Sequence, residues 1–462
     1  MEVKEKLAGS VTSPFWLSTV EKGPACPSLT SSVDCDLAVI GGGFTGLWSA
    51  LKARERDPGA RIVLVEAARC GGEASGRNGG FCAPSISHGV SNALNRWPDE
   101  ADRLIRLGQE NLDELACDLD DYHIDGGFER SGKLNIAATP WQADGLKSMA
   151  RNYARFGIEH SLLEGDALRE KFNSPVYSAG LFEPNYALVN PARLVAGLRD
   201  SCINRGVMLH ENTPVTALKQ ESNGISLQTA EGQIRASKVI LATNAAVPLI
   251  RRLRPTIIPI FDYSLVTEPL SDAQLAGIGW TGRYGVADSG NQFHYLRKTA
   301  DNRMLWAGFD AIYHYGSSRE RKLLHREETF DLLARQFAEA FPSLSDVKFD
   351  YAWGGIIDTS ARSTFFTGTA CGGRVAYALG FTGQGVSASR FAGLTMLDLL
   401  EGVETERTSL SMHRRMPVPF PPEPFRSLAV SMMQKRLAKE DTTGKRALLL
   451  RGFDAFGIGF DS

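Results

Sequence analysis

Gly41, Gly43 and Gly46 stand at G-x-G-x-x-G spacing directly behind the apolar run Leu37-Ala38-Val39-Ile40. Gly41 permits a tight turn, Gly43 lets a pyrophosphate approach the main chain, and Gly46 lets a helix lie close on a strand. Phe44 and Thr45 fall between those glycines, ahead of an apolar helical face formed by Leu47, Ala50 and Leu51. The N-terminus of that helix offers free N–H groups and a positive dipole end to phosphate. A second apolar strand, Ile62-Val63-Leu64-Val65, runs into Glu66, twenty residues beyond Gly46, where a carboxylate can accept from a ribose diol. A lone glycine motif is weak; strand, glycines, helix, strand and acid in register specify a dinucleotide-binding βαβ unit.

Two further glycine-rich loops matter because of where they fall. Residues 70–80 leave the C-terminal end of the second strand, where open α/β sheets bind ligands, and contain Asn78 and five glycines. Such a backbone can curl around a ligand. The turn Gly380 to Val386 lies between an apolar strand, 374–379, and a helix, 387–400, so it points another helix N-terminus at an electron-rich atom. NAD alone would need neither loop.

The segments Gly41-Gly42-Gly43-Phe44-Thr45-Gly46, Glu66-Ala67-Ala68-Arg69 and Ala74-Ser75-Gly76-Arg77-Asn78-Gly79-Gly80 resemble the FAD-binding signature of the D-amino-acid oxidase/glycine oxidase superfamily. The match is closest to the branch containing gamma-glutamylputrescine oxidoreductase. The resemblance implies one FAD, its ribose on Glu66, its adenine side near Arg69 and Val215, its pyrophosphate and ring along Ser75 to Gly80, and Ala67 and Ala74 among its binding residues. It further implies Thr243 and Asn244 near the cofactor, and Thr382, Gly383, Gln384, Gly385 and Val386 at the flavin N1/C2=O edge, where reduction builds negative charge. The fold implied is a Rossmann-type α/β FAD-binding domain interleaved with a substrate domain on a largely antiparallel sheet.

The elements that must position these residues can be read in order. Residues 1–32 are a polar arm that Phe15 and Trp16 can pin to the body. Residues 33–90, 150–250 and 350–402 are assigned to the FAD-binding domain, 91–149 and 251–349 to the substrate domain, and 403–462 to an extension. An amphipathic stripe (Leu104, Leu107, Leu112, Leu115, Leu119) predicts core-packed helix, and Asn190-Pro191 predicts a helix start by N-cap and N1 preference. Alternation around residues 261–266, 293–297 and 303–309 predicts antiparallel strands. Pro417 to Pro424 reads as a polyproline strap, and Lys435, Arg436, Lys439, Lys445, Arg446 and Arg451 as a solvated helix face or subunit contact.

The family's chemistry is oxidation of a C–N bond: a hydride equivalent passes from the carbon beside nitrogen to flavin N5, and water hydrolyses the resulting imine. Three side chains follow as catalytic candidates. Tyr295 aligns with an active-site tyrosine of the sarcosine oxidase branch; His294 beside it alternates to the opposite face, so only one of the two can meet the flavin. Trp306 aligns with the lysine those enzymes use to activate oxygen, and Ser387 with the lysine that anchors a substrate carboxylate. Tyr263 and Arg297 are weaker candidates. An N-substituted or extended amine, such as a gamma-glutamyl amine, is therefore expected, with oxygen or another electron acceptor as second substrate. The alternatives are an amino-acid dehydrogenase feeding a quinone or carrier protein, and a flavoprotein whose FAD turns nothing over.

Bulk composition limits the remaining classes. The 462 residues are 43% hydrophobic and 23% charged, with a net charge of −2, which gives no general attraction for nucleic acid or anionic lipid. No apolar run approaches the ~20 residues of a membrane span. Seven scattered cysteines, none in C-x-x-C, predict a reducing cytoplasm and no metal site. Cys371 precedes the last strand, in a region where some relatives attach FAD covalently; the local pattern predicts a non-covalent cofactor.

Overall fold

The computed structural model describes residues 3–21, 23–455 and 459. Two eight-stranded sheets organise them. The first is centred on strand Val33–Ile40, which has Ile62–Val65 and Gln233–Leu241 as parallel neighbours. Met208–His210 extends it beyond Ile62–Val65, and Val375–Leu379 beyond Gln233–Leu241, also in parallel. Residues 37–40, 62–65, 239–241 and 375–379 of these strands are apolar and buried because both faces are covered there, as buried parallel strands require. Helix Phe44–Arg56 makes the first crossover, and helix Gly385–Glu401 lies beside it. The close approach is visible at Gly393, where a Cβ would sit 3.0 Å from Ser49 Oγ.

The second sheet runs Phe349–Ser360, Ile257–Thr267, Met304–Gly308, His294–Lys298, Gly285–Asp288, Lys133–Ala137, Ala179–Glu183, Ser161–Glu164. It is antiparallel except where Gly285–Asp288 runs alongside Lys133–Ala137. One face is dry: Leu265, Leu296, Trp306 and Val286 meet Phe330, Leu333 and Phe337 of helix Glu327–Ala340. The other face looks back toward the first sheet.

Asn190 caps helix Pro191–Asn204 by accepting from Ala192 N and Arg193 N, both at 3.1 Å. Phe15 and Trp16 are buried against Val266, Leu305, Ala307 and Trp353, which pins the N-terminal arm. Residues 416–422 form no helix or strand, and Phe420 N donates to Pro255 O at 2.7 Å before helix Phe425–Thr443 begins. Lys435, Arg436 and Lys439 lie exposed on that helix. Among the described residues, no helix is long and apolar enough to cross a membrane.

The domain boundaries differ from those expected at three places. Ser161–Glu164 and Ala179–Glu183 pair into the second sheet, although residues 150–250 were assigned to the FAD-binding domain. Phe349–Ser360 also belongs there, paired along most of its length with Ile257–Thr267. Conversely, helix Ala101–Asp121, expected in the substrate domain, packs its leucine stripe into the core of the first sheet's layer. Strand and helix periodicity locate the elements; which sheet claims them depends on pairing between distant residues, which periodicity does not encode.

Helix Ala101–Asp121 is fastened to that layer by one buried carboxylate. Asp118 accepts from Lys52 Nζ at 2.6 Å and from Arg390 Nε at 2.5 Å, tying three helices together. Asp118→Ala would leave two buried cations short of a partner. It should destabilise the protein by about 3 kcal/mol, read as a lowered Tm in thermal melting; an unchanged Tm would show that Glu55 and Glu114 compensate fully.

Candidate active site

Every parallel strand of the first sheet runs out at the same edge, and the glycine-rich loops meet there. At Gly41, φ is 111° and a side chain would collide with the Ala242 carbonyl. Gly46 abuts the Gly41 carbonyl in the same way, so the helix can start directly over the strand end. Gly43 is the N-cap of helix Phe44–Arg56 and has no capping side chain; a Cβ there would lie 2.8 Å from Ser75 Oγ. Ser75 Oγ accepts from Phe44 N at 2.9 Å, joining the first loop to the second.

Glu66 locks the turn from the neighbouring strand. Its Oε2 accepts from Gly42 N at 2.7 Å and its Oε1 from Ala68 N at 2.9 Å. Burial raises its carboxyl above the usual range, against the pull of those two amides. Ala67 is exposed beside it. Arg69 Nε lies 3.2 Å from the buried Glu211 carboxylate, and its Nη2 donates to Gly23 O. Val215 is half-buried against the first sheet's core.

The second loop forms one helical turn, Ala74–Arg77, backed by Gly76 on the Gly71 carbonyl. Asn78 closes it: Nδ2 donates to Ala74 O and Ser75 O, and Oδ1 accepts from Gly80 N at 2.8 Å. Arg77 donates to Gly72 O and Gly354 O, so it clamps loop to second sheet. Gly80, at φ 77°, is wedged against Val189 O and Arg297.

A cavity of about 300 Å³ lies between this edge and the open face of the second sheet. Of the expected cofactor residues, Phe44, Thr45, Ala74, Ser75, Arg77, Asn78, Gly79, Asn244 and all of Thr382 to Val386 line it. Gly41, Gly43, Gly46, Glu66, Ala67, Arg69, Gly76, Gly80, Val215 and Thr243 do not; the first four form or brace the turn behind it. Helix Gly385–Glu401 also begins without a capping side chain, on Gln384. Two uncapped helix N-termini, a main-chain surface stripped of Cβ atoms and a carboxylate at the second strand fit a dinucleotide with a polar ring. These residues would hold FAD.

The second sheet supplies the opposite wall, and strand alternation decides which side chains reach it. Ile260, Asp262, Ser264, Ala287 and Tyr295 line the cavity. Asp262 is a buried carboxylate that accepts from the Tyr295 hydroxyl at 2.6 Å and from its neighbour Tyr263 N at 3.0 Å. Burial raises its carboxyl to about 6, with those hydrogen bonds pulling the other way. A second buried carboxylate, Asp358, accepts from Gly380 N, from Phe381 N at 3.1 Å and from Asn244 Nδ2 at 3.0 Å. Burial pushes it up to about 7. It holds the third glycine loop to the turn that follows Gln233–Leu241 and carries Asn244.

Two of the three catalytic candidates are corrected. His294 points to the dry face, between Asp288 Oδ2 at 2.7 Å and Gln336 Oε1 at 3.0 Å, and stacks on Trp306 at 4.3 Å. Trp306 is fully buried in that same core. Both are one residue out of phase with Tyr295 and its cross-strand partner Ala307. Residue 306 therefore says nothing about oxygen. Ser387 is likewise buried, donating to Ala83 O at 2.6 Å, so the missing cation there is not a missing cavity group. Tyr263 donates to Leu323 O on the dry side. Arg297 is spent on Gly79 O and Val189 O, with its guanidinium 4.8 Å over Trp16. Cys371 lies in the turn between Phe366–Ala370 and Val375–Leu379, at the end of the sheet opposite the cavity. Asp262, Asp358, His88 and Lys133 are the cavity groups that sequence reasoning missed. The available signal was an aspartate inside each of two apolar strands, Ile260-Phe261-Asp262-Tyr263 and Ile356-Ile357-Asp358.

Comparison with known proteins agrees with this geometry. A family model described as FAD dependent oxidoreductase matches residues 36–399. Gamma-glutamylputrescine oxidoreductase of Escherichia coli strain K12 is 30% identical over 402 residues, covering 85% of this chain and 89% of that protein. Probable oxidoreductase OrdL of Haemophilus influenzae is 29% identical over 399 residues, covering 85% and 88%. Among solved structures, glycine oxidase from Geobacillus kaustophilus superposes with a TM-score of 0.69 at 21% identity, covering 83% of this chain and 99% of that one.

Glu66→Ala removes the acceptor of two amides and a charged partner for ribose. FAD affinity should fall by roughly 10- to 100-fold, about 1.5–3 kcal/mol, measured by reconstituting apoprotein with FAD. Unchanged affinity would remove Glu66 from the cofactor site.

Proposed function

The chain belongs to the family of FAD-dependent oxidoreductases, and from that premise we propose that it oxidises the C–N bond of an N-substituted or extended amine, a gamma-glutamyl amine being one example. It is an FAD-dependent enzyme. Bound FAD supplies the two-electron acceptor for the carbon beside nitrogen, and water hydrolyses the imine.

The observation that carries this reading is Asp262. A carboxylate buried without a cation is costly, and its two hydrogen-bond partners, the Tyr295 hydroxyl and Tyr263 N, are both neutral. A substrate nitrogen in the cavity offsets that cost, as an ammonium while binding. The Tyr295 hydroxyl fixes the carboxylate's orientation, and Asp262 is the acceptor at hand for the nitrogen's proton. Phe81, Phe293, Phe309 and Tyr295 add aromatic walls that exclude water. The likeness to gamma-glutamylputrescine oxidoreductase supports an extended amine.

The test is anaerobic mixing of the yellow holoenzyme with amines, N-alkyl amino acids and gamma-glutamyl amides. Extended amines should bleach the flavin, sarcosine and glycine poorly; no bleaching across the panel contradicts amine oxidation. Asp262→Asn should slow flavin reduction by about 100-fold and Tyr295→Phe by about 10-fold, the scale of hydrogen bonds to a charged group, with FAD retained in both. The pH dependence has a definite sign. Asp262 titrates at about 6, so it is charged above that pH and attracts an ammonium. Amine affinity should fall as pH drops through about 6 in the wild type and lack that inflection in Asp262→Asn. Identical profiles would place the nitrogen elsewhere.

A further inference from the structure

Positive charge is concentrated at residues 414–451. They carry nine Lys and Arg against three acids, whereas the whole chain has a formal net charge of −2. All three acids are taken up by the protein itself. Glu423 Oε1 accepts from the Tyr313 hydroxyl at 2.5 Å and from Gly316 N at 3.1 Å. Asp441 accepts from Asn291 N at 2.7 Å and from Gln292 N at 2.9 Å. Glu440 lies 3.3 Å from Arg446 Nη1. Lys435, Arg436, Lys439 and Lys445 are exposed and make no ion pair among the described residues.

The same extension exposes apolar side chains in a stripe. Helix Phe425–Thr443 is fixed by its inner face: Leu437 is buried, Gln434 Nε2 donates to Ala311 O, and Asp441 holds residues 291–292. Its outer face carries Phe425, Leu428 and Met432, which are 64%, 59% and 41% exposed. That i, i+3, i+7 spacing is one side of a helix, and Lys435, Arg436 and Lys439 continue it. Tyr315, 68% exposed, joins the apolar end, because Arg426 Nη1 donates to Ser317 Oγ at 2.8 Å and Gly316 is held by Glu423.

An apolar stripe grouped on the water side of a helix marks a contact surface, where scattered single side chains would not. The charges beside it decide what fits. A second copy, related by a two-fold axis, would bring the same lysines and arginines toward one another. A bilayer with anionic headgroups supplies both complements. Its acyl boundary takes the apolar side chains, and its negative surface attracts the basic end. The chain's overall charge does not oppose this, because the attraction acts within a Debye length, about 10 Å at 0.1 M salt.

We propose that helix Phe425–Thr443 docks the protein on an anionic lipid surface. Phe425, Leu428 and Met432 enter the headgroup boundary with Tyr315 beside them, and Lys435, Arg436 and Lys439 meet lipid phosphate. The contact is peripheral, since no helix among the described residues can cross a membrane. The docked helix is tied to Asn291 and Ala311, both of which line the cavity, so docking holds that part of the cavity wall beside the lipid. The inference goes beyond the reading of the cavity and holds whichever amine is oxidised there.

The test is flotation of the yellow holoenzyme with vesicles of phosphatidylcholine alone or of phosphatidylcholine mixed with phosphatidylglycerol. The protein should float with the anionic vesicles and not with the uncharged ones, and high salt should release it. Leu428→Glu and the pair Lys435→Glu/Arg436→Glu should each weaken binding by at least about tenfold, and Lys435→Arg/Arg436→Lys should keep it. None of these residues lines the cavity, so flavin absorbance should be unchanged and report that each variant is folded. No binding to anionic vesicles, equal binding to uncharged ones, or unchanged binding in Leu428→Glu or in Lys435→Glu/Arg436→Glu overturns the proposal. Self-association in sedimentation that Leu428→Glu dissolves, without vesicle binding, also overturns it and gives the face to a second copy.

Discussion

The structure depends on a close approach of main chain to main chain at the end of strand Val33–Ile40. Gly41 and Gly46 have no space for a Cβ, because each is pressed on a backbone carbonyl. That contact sets helix Phe44–Arg56 directly over the strand end and leaves its first N–H groups without a side-chain cap. The neighbouring parallel strands share the edge, so Glu66, Asn244 and the turn before helix Gly385–Glu401 converge on it. A side chain at either glycine would displace the helix and, with it, Ser75 and the second loop that it holds.

Against this edge the second sheet presents a face that is apolar in most places and charged in a few. Asp262, Asp358 and Lys133 each keep a charge out of bulk water, at a free-energy cost that hydrophobic replacements would avoid. The three are used differently. Asp358 is saturated by two main-chain amides and Asn244, and acts as a strut between loops. Asp262 has neutral partners alone, and Lys133 stands over an aromatic ring beside the buried Glu183 carboxylate. The partners of Asp358 are all internal to the protein; in the proposed reading Asp262 meets its counter-charge in the substrate nitrogen.

The cofactor side was legible in the sequence because its signal is local. Glycines at fixed spacing, an acid at the second strand's end and an Asn-Gly-Gly loop each describe a backbone shape within a few residues. The fold class followed from the same segments together with alternation in strands such as Ile257–Thr267. The substrate side was less legible. Alternation showed that His294 and Tyr295 face opposite ways, without saying which faces the cavity, and the alignment placed Trp306 on the wrong side. Register settled both: Tyr295 opposes Ala307, and Trp306 opposes Leu296 on the dry face. Lys133, four strands from Asp262 and 129 positions away in sequence, joins the site through sheet order alone.

The central claim is that Asp262 receives the substrate nitrogen on the cavity face of the second sheet. The most direct measurement is a crystal structure of the holoenzyme with a non-oxidisable extended amine. The account predicts the nitrogen within hydrogen-bond distance of the Asp262 carboxylate, with the Tyr295 hydroxyl still on that carboxylate and the ligand's chain along Phe81. A nitrogen bound elsewhere, with Asp262 still holding nothing beyond Tyr295 and its own main chain, would contradict it.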